Sequence, residues 1–204
     1  MKDEIKKILK AEAEAIKNIP VGDGFEHAIE LIYKKVHTEH GKLIASGMGK
    51  AGQIAVNIAT TFSSTGTPAV FLHPSDAQHG DLGVIQKNDI LLLISNSGKT
   101  REIIELINLS RSLVQGLPII LITGNEENKL SAVADVTLFT GNPQEVCPLK
   151  LTPTTSTTTM TVIGDILVVL MMKKIKFTAV DYSKRHHGGY LGYKSRNSVH
   201  ERII

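Results

Sequence analysis

The sequence predicts an α/β fold in which a parallel sheet carries helices on both faces. Short apolar stretches alternate along the chain with longer amphipathic ones, the order in which the strands and helices of a parallel sheet occur. The apolar stretches are also hydrophobic at consecutive positions, as in residues 90–94 and 119–122. Continuous apolar runs are typical of strands that are buried on both faces.

Two amphipathic helices are predicted before the first strand, over residues 3–18 and 24–39. Each carries an apolar stripe at helical spacing. The stripes consist of Ile5, Ile8, Leu9, Ala13 and Ile16 in the first helix and of Phe25, Ala28, Ile29, Ile32 and Val36 in the second. We expect residues 1–204 to form a single domain, with the helices of residues 3–39 packed on a core of residues 40–193.

The remaining elements follow from the same two patterns, with Gly and Pro marking the breaks between them. The predicted strands cover residues 42–46, 69–72, 89–95, 118–123 and 136–139. The predicted helices cover residues 50–64, 101–114, 129–134 and 153–174, and the last is rich in threonine at its start.

Composition excludes several classes of protein. The chain has 204 residues, 42% of them hydrophobic and 21% charged, as in a soluble globular domain. Its net charge is +3 and its basic residues cluster only near the two ends, whereas a nucleic-acid site needs a denser basic face. The longest apolar run, residues 160–172, is too short and too polar to span a bilayer. We therefore expect neither nucleic acid nor membrane as a partner.

Cysteine content and the N-terminus indicate the compartment. Cys147 is the single cysteine, so no intramolecular disulfide can form, which suits a reducing environment. The charged N-terminus, Met1-Lys2-Asp3-Glu4, lacks the apolar segment of a signal peptide. We expect a cytoplasmic protein.

Two polar loops follow predicted strands and precede predicted helices. The first is Ser46-Gly47-Met48-Gly49-Lys50, and the second is Ser95-Asn96-Ser97-Gly98-Lys99-Thr100. Backbone N–H groups at a helix N-terminus bind phosphate or carboxylate groups. The alternative is that Ser97 or Thr100 only caps its helix. Two such loops at the same edge of one sheet favour a phosphorylated ligand.

Two nucleotide-binding motifs contain glycine-rich turns like that of residues 47–52. Residues 47–52 match G-x-G-x-x-G after a strand, but Phe71-Leu72-His73-Pro74 stands where the second strand of a dinucleotide-binding fold ends in an acid. A Walker loop is excluded, because no Gly-Lys-Ser/Thr follows a spaced glycine. We expect no nicotinamide cofactor.

Five motifs together resemble the sugar isomerase (SIS) domain family and, within it, the D-arabinose 5-phosphate isomerases. They are Ser-Gly-Met-Gly-Lys at 46–50, His-Pro-Ser-Asp-Ala-Gln-His-Gly-Asp-Leu-Gly at 73–83, Ser-Asn-Ser-Gly at 95–98, Cys-Pro-Leu with Thr-Pro-Thr-Thr-Ser-Thr-Thr within 147–158, and His-His-Gly-Gly-Tyr-Leu-Gly at 186–192. The resemblance covers about residues 40–193 in consistent order. Lys99 and His187 depart from the residues common in that family, which are Glu and Pro.

The resemblance implies a three-layer αβα sandwich, similar to flavodoxin or Rossmann folds, with a five-stranded parallel sheet. The implied activity is the interconversion of D-ribulose 5-phosphate and D-arabinose 5-phosphate without a cofactor, supplying 3-deoxy-D-manno-octulosonate (Kdo) for lipopolysaccharide. The implied assembly is a homotetramer with shared active sites. Many members carry a C-terminal pair of CBS domains; this sequence ends at Ile204, and we expect the isomerase domain alone.

Aldose–ketose isomerisation needs an acid–base group near C1 and C2 and a positive or donating group at the developing oxyanion. By resemblance, the catalytic candidates are Lys50, Glu102, Glu145, His186 and His79. The candidates for phosphate and substrate binding are Gly47, Gly49, Ser95, Asn96, Ser97, Thr100 and Thr155. No metal is expected, because the histidines and acids lack the spacing of a structural or catalytic metal site.

Several of these candidates also have an interpretation without a catalytic role. Lys50 would be a solvated lysine, although a cation at a helix N-terminus is unfavourable without an anion nearby. Glu102 would be an ordinary first-turn acid, and Glu145 an exposed loop residue. His186 lies in a glycine-containing loop that could cover a pocket, or it is a surface histidine.

Two other functions remain open from the sequence. One is an isomerase of another phosphosugar. The other is a non-catalytic sugar-phosphate sensor, as in regulators that join this domain to a helix-turn-helix. The first 40 residues show no recognition-helix signature, which favours the enzyme.

Overall fold

The computed structural model describes the backbone of residues 1–200 and the side chains of residues 1–196. Its five strands form one parallel sheet in the order β2-β1-β3-β4-β5. The strands are β1 (Leu43–Gly47), β2 (Ala69–Phe71), β3 (Ile90–Ile94), β4 (Ile119–Thr123) and β5 (Val136–Phe139). The helices are α1 (Lys2–Lys17), α2 (Gly24–Ile32), α3 (Lys50–Ser64), α4 (Arg101–Leu113), α5 (Thr155–Lys174), α6 (Ala179–Ser183) and α7 (Gly189–His200). The predicted fold class is confirmed.

The two faces of the sheet carry separate hydrophobic cores. Leu92 and Ile94 of β3 pack with α2, α3 and α5, whereas Leu91 and Leu93 pack with α4 on the other face. Successive side chains of a strand point to opposite faces, so a strand between two helical layers must be apolar throughout. Every residue of β3 is fully buried, which explains its unbroken apolar sequence.

The order of the strands creates a crevice between β1 and β3. The chain passes from β1 outward to β2, then returns across β1 to form β3. The connections that leave β1 and β3 therefore run in opposite directions from the carboxyl edge of the sheet. In a sheet with this flavodoxin-like order, ligands bind at that switch point.

Helix α5 is a core helix. It extends beyond the apolar run of residues 160–172, so that by length and composition, contrary to the sequence prediction, it could cross a membrane. Half of its most apolar window is, however, buried inside the protein, against α1, α2 and α3. Gly164 allows the close approach of α3, since a Cβ there would lie 2.4 Å from the Ile58 side chain. Its apolar sequence therefore reflects packing on the sheet.

Some local predictions were wrong. Residues 129–134 form turns instead of a helix, because the Asn128 carboxamide accepts the backbone N–H of Ser131 and donates to its hydroxyl. Such local side-chain hydrogen bonds compete with helix formation. The second predicted helix is confirmed over residues 24–38, as the α-helix Gly24–Ile32 followed by the wider π-helix Tyr33–Thr38. Helices α6 and α7 were not predicted.

The apolar stripe of α1 is largely uncovered within the chain. Ala15 is the buried residue of this helix, whereas Ile5, Ile8 and Leu9 are 50%, 40% and 64% exposed. Helix α1 does contact α5. Within one chain, α1 thus contacts the core through α5 while most of its apolar stripe stays exposed.

Candidate active site

A cavity of about 520 Å³ lies at the switch point between β1 and β3, and we call it the switch-point cavity. Its size is typical of small-molecule sites. It is lined by Met48, Lys50, Ala51, Ile94, Ser95, Asn96, Ser97, Thr100, Asn125, Asn142, Pro153, Ser156, Thr157 and Met160. The loops after β1 and β3 thus meet at one cavity, as predicted from their positions in the sequence.

The hydroxyl groups of the loop after β3 form hydrogen bonds within the loop. Ser95 is buried, and its Oγ lies 2.8 Å from Thr100 Oγ1. Ser97 Oγ accepts the backbone N–H of Lys99 at 3.2 Å. Thr100 occupies the N-cap position of α4, but no side chain caps the first turn. The capping alternative therefore does not account for these hydroxyls, and the first-turn N–H groups of α4 have no side-chain acceptor.

The glycines of the first loop are required by geometry. A Cβ on Gly47 would lie 2.8 Å from the backbone of Ala51, and Gly49 has a φ of +58°. Only glycine adopts such backbone freely. Gly47 and Gly49 do not themselves line the cavity, but they turn the chain so that Met48 and Lys50 reach it.

The electrostatics of the switch-point cavity favour an anion. Helices α3 and α4 begin at residues that line it or adjoin its lining, whereas the N-terminus of α5 is already occupied by the Glu145 carboxylate. The N-termini of α3 and α4 each contribute about half a positive charge. Lys50 adds a full positive charge. In the described part of the chain, its ammonium group has no ion-pair or hydrogen-bond partner. Among the described residues that line the cavity, none is acidic.

Glu145 caps helix α5. Its carboxylate accepts the backbone N–H of Thr154 at 2.7 Å, the Thr154 hydroxyl at 2.9 Å and the backbone N–H of Ser156 at 3.4 Å, and it also accepts the Ser156 hydroxyl. Burial raises the pKa of the Glu145 carboxyl, but the hydrogen bonds from Ser156 and Thr154 outweigh burial and hold that pKa below its ordinary value. Glu145 is therefore ionised at neutral pH.

Replacing Glu145 by Ala is expected to lower the free energy of unfolding by about 3 kcal/mol at neutral pH, because several partly buried donors lose their acceptor. A carboxyl whose pKa is lowered by folding stabilises the protein above its unfolded pKa and stops doing so as the pH falls through the folded pKa. The difference between wild type and Glu145→Ala should therefore shrink below about pH 4.5 in urea unfolding.

The matched control for this prediction is Glu14→Ala, since Glu14 forms an exposed ion pair with Lys17 at 3.0 Å. Such pairs contribute little, so this variant should lose under about 1 kcal/mol. A stability difference for Glu145→Ala that stayed constant down to pH 3 would contradict the assigned role.

Three other catalytic candidates do not line the switch-point cavity of their own chain. Glu102 lies half-buried in the first turn of α4, two residues after Thr100. His79 is exposed at the end of the 3₁₀ turn Asp76–His79, directly before Gly80, whose φ is +118°. Glu145 lines a neighbouring cavity between α1 and residues 143–150.

His186 lies at the far end of the molecule. Helix α5 begins beside the cavity, and its 20 residues extend roughly 30 Å away from it. Beyond it, Phe177 packs close to Gly66, which precedes β2 at the amino edge of the sheet. Tyr182 stacks on His186 with ring centroids 3.7 Å apart, and its carbonyl oxygen lies 3.0 Å from His186 Nδ1. The loop that carries His186 does not cover the switch-point cavity of the same chain.

Thr155 faces away from the cavity, while its neighbours Ser156 and Thr157 line it. The Thr155 hydroxyl instead donates to Glu12 of α1 at 2.9 Å. Sequence reasoning missed Asn125 and Asn142, which follow β4 and β5. Both stand at the same carboxyl edge, so the rule that pointed to the first two loops would have found them.

No metal centre is evident in the part of the chain that the structure describes, where no three histidine, cysteine, aspartate or glutamate side chains are grouped to hold an ion. The hydroxyls and amides of the cavity are suited to a polar organic anion.

Comparison with known proteins agrees with this geometry. Residues 37–170 match the family model described as SIS domain. The chain is 44% identical over 191 residues to arabinose 5-phosphate isomerase KdsD of Yersinia pestis and 44% identical over 172 residues to that of Pseudomonas aeruginosa. These matches cover 93% and 84% of this chain but 56% and 51% of the relatives, so the chain spans about half their length.

Two solved structures are similar over almost their whole length. A Bacteroides fragilis protein described as a putative phosphosugar isomerase involved in capsule formation has a TM-score of 0.91 and 64% identity, over 92% of this chain and 98% of that one. The protein c3406 of Escherichia coli CFT073, in complex with arabinose 5-phosphate, has a TM-score of 0.82 and 33% identity, over 89% and 95%. The chain belongs to the SIS domain family.

Proposed function

We propose that the protein is an aldose–ketose isomerase that interconverts D-ribulose 5-phosphate and D-arabinose 5-phosphate. The observation that carries the proposal is the switch-point cavity, where Lys50 and the N-termini of α3 and α4 converge without an acidic lining residue among those described. Such a cavity suits a phosphate group. The choice of sugar is supported by the relatives named arabinose 5-phosphate isomerase and by the similar structure that holds arabinose 5-phosphate.

The proposed reaction transfers a proton between C2 and C1 of the sugar through an enediol. A base removes the C2 proton of the aldose, and the same proton or one from solvent is delivered to C1 while a hydroxyl proton moves between O1 and O2. Lys50 would stabilise the developing negative charge on oxygen. We assign the acid–base role to His186, with Glu102, Glu145 and His79 as further candidates. No redox cofactor is needed, because the carbon skeleton keeps its overall oxidation state.

We further propose a homotetramer in which neighbouring subunits complete each site. His186 lies far from the switch-point cavity of its own chain, so a second copy would have to supply it. Exposed apolar side chains offer contact surfaces for such copies: Ile5 and Leu9 on α1, and Leu191 and Tyr193 on α7. Large exposed apolar patches are typical of interfaces.

The cellular role follows from the same proposal. Arabinose 5-phosphate would feed the synthesis of Kdo for a surface polysaccharide, in line with the similar B. fragilis protein described as involved in capsule formation. A cytoplasmic location is supported by the lone, unpaired Cys147, which suits a reducing compartment.

The direct test mixes purified protein with ribulose 5-phosphate and measures arabinose 5-phosphate, with and without a chelator. Turnover that is unchanged by the chelator is expected. Binding of the sugar phosphate at micromolar concentration without turnover would favour the sensor function. Turnover of a six-carbon phosphosugar in preference to both pentose phosphates would favour an isomerase of another substrate.

Replacing Ser97 by Ala is expected to raise KM about tenfold and to leave kcat within about threefold, because a neutral hydroxyl that contacts the phosphate contributes about equally to the ground state and the transition state. Steady-state kinetics with ribulose 5-phosphate measure both constants. Ser112→Ala is the control, since the Ser112 hydroxyl donates to the Asn108 carbonyl on the exposed surface of α4. A fall in kcat with unchanged KM would contradict a role in phosphate binding.

A further inference from the structure

The side chain of Glu12 on helix α1 makes a hydrogen bond to the start of α5. Most of this helix is exposed, yet Glu12 extends to the first turn of α5, where its Oε1 accepts the hydroxyl of Thr155 at 2.9 Å. Thr155 is only 1% exposed. Glu12 and Thr155 are 143 residues apart in sequence, so this bond ties the N-terminal helix to the first turn of α5.

The same hydroxyl also holds the loop that carries Glu145. Thr155 Oγ1 accepts the backbone N–H of Val146 at 3.3 Å, and Val146 directly follows Glu145. The residues on either side of Thr155, Thr154 and Ser156, donate to the Glu145 carboxylate. Thr155 is therefore the central point of the contact between the loop and α5.

The hydrogen bonds of Thr155 run in two directions. Its hydroxyl donates to Glu12 Oε1, and its lone pairs stay available for the Val146 N–H. Without Glu12, the hydroxyl would lose its acceptor, and its orientation toward the Val146 N–H would no longer be fixed.

The buried position of the Glu12 carboxylate lowers the stability of the fold, so its presence needs a reason other than stability. The second oxygen of Glu12, Oε2, is buried and has no hydrogen-bond partner among the described residues. A buried polar atom without a partner destabilises a fold, and each case needs a specific reason. Positioning of the site is such a reason.

We propose that Glu12 is a positioning residue for the isomerisation, which holds Glu145 and the start of α5 in place through Thr155. The inference rests on the proposed function only for its effect on turnover. The structural link from Glu12 to Val146 stands independently of that function. It assigns a role in the site to the N-terminal helix, which lies outside the matched SIS segment of residues 37–170.

The kinetic test compares variants of the full chain. Glu12→Ala is expected to lower kcat about tenfold and to change KM less than twofold, since small misplacements of catalytic groups act mainly on the chemical step. Glu12→Gln keeps an acceptor oxygen and should restore most of the rate. Asp3→Ala removes an exposed carboxylate of the same helix that does not line the cavity beside Glu145, and it should match wild type. An equal loss in Asp3→Ala, or no loss in Glu12→Ala, would overturn the proposal.

A double-mutant cycle tests whether Glu12 acts through Thr155. Thr155→Val removes the hydroxyl but keeps the shape of the side chain, and it should reproduce the effect of Glu12→Ala on kcat. The two changes together should lower kcat no further than either alone, because both break the same link. Additive effects would show that Glu12 acts by another route, which would overturn the proposal.

Amide hydrogen exchange separates this proposal from the proposed function. The Val146 amide should exchange about tenfold faster in Glu12→Ala than in wild type, and at the wild-type rate in Glu12→Gln, because exchange requires the hydrogen bond to open. If wild type has no isomerase activity, the proposed function fails while this measurement still decides the link. Unchanged exchange at Val146 in Glu12→Ala would overturn the link itself.

Discussion

Replacing His186 by Asn is expected to lower kcat about a thousandfold, the usual range for loss of a general acid–base group. Affinity for arabinose 5-phosphate should stay within about threefold, because the phosphate is held at the switch-point cavity and His186 lies outside it. Calorimetric titration measures the affinity, and conversion of ribulose 5-phosphate measures the rate. Loss of both would contradict an acid–base role. His187→Asn, at the exposed neighbouring position, is the control and should retain activity.

Mixed oligomers decide which chain supplies His186. His186→Asn and Lys50→Met are each expected to be nearly inactive alone. When the two are co-expressed and isolated through different affinity tags, about a quarter of the sites in a randomly assembled symmetric oligomer would combine an intact Lys50 with an intact His186 from another chain. Recovery of roughly that share of wild-type activity supports shared sites. If each site used residues of one chain only, the mixture would stay inactive.

The sheet and the first two loops could be predicted from the sequence because local chemistry determines them. Every side chain of β3 is buried, so the pattern of residues 90–94 is unambiguous. The convergence of the loops after β1 and β3 follows from the general geometry of parallel sheets. Residues 129–134 were misassigned because the side chain of Asn128 offers the backbone local hydrogen bonds that a pattern of apolar residues does not reveal.

Other parts of the site depend on contacts that are distant in sequence. The apolar stripe of α1 predicts burial but not by what, and within one chain most of it stays exposed. Thr155 lies next to two residues that line the cavity, yet it faces Glu12. One residue turns a helical side chain by about 100°. A motif alone therefore cannot tell which of several adjacent hydroxyls faces the ligand.

Function and stability are expected to diverge at Lys50, which offers a sharp test of the anion site. Lys50 is the first residue of α3, where its charge opposes the positive end of the helix dipole. Replacing it by Met removes this repulsion and keeps most of the length of the side chain. Lys50→Met should therefore unfold at the same temperature as wild type or slightly higher.

The same substitution should lower kcat/KM about a thousandfold, because the cavity loses the full positive charge that faces the phosphate or the developing oxyanion.

Inorganic phosphate provides an independent measurement. As a competitive inhibitor it should protect the wild-type protein against thermal unfolding and protect Lys50→Met much less. Lys99→Met is the control, since Lys99 is exposed in the other loop and does not line the switch-point cavity. A Lys50→Met variant that retained both the rate and the protection by phosphate would show that the anion binds elsewhere. Loss of activity with a marked fall in the unfolding temperature would instead assign Lys50 to the fold, since a residue kept for function at the expense of stability gives the opposite result.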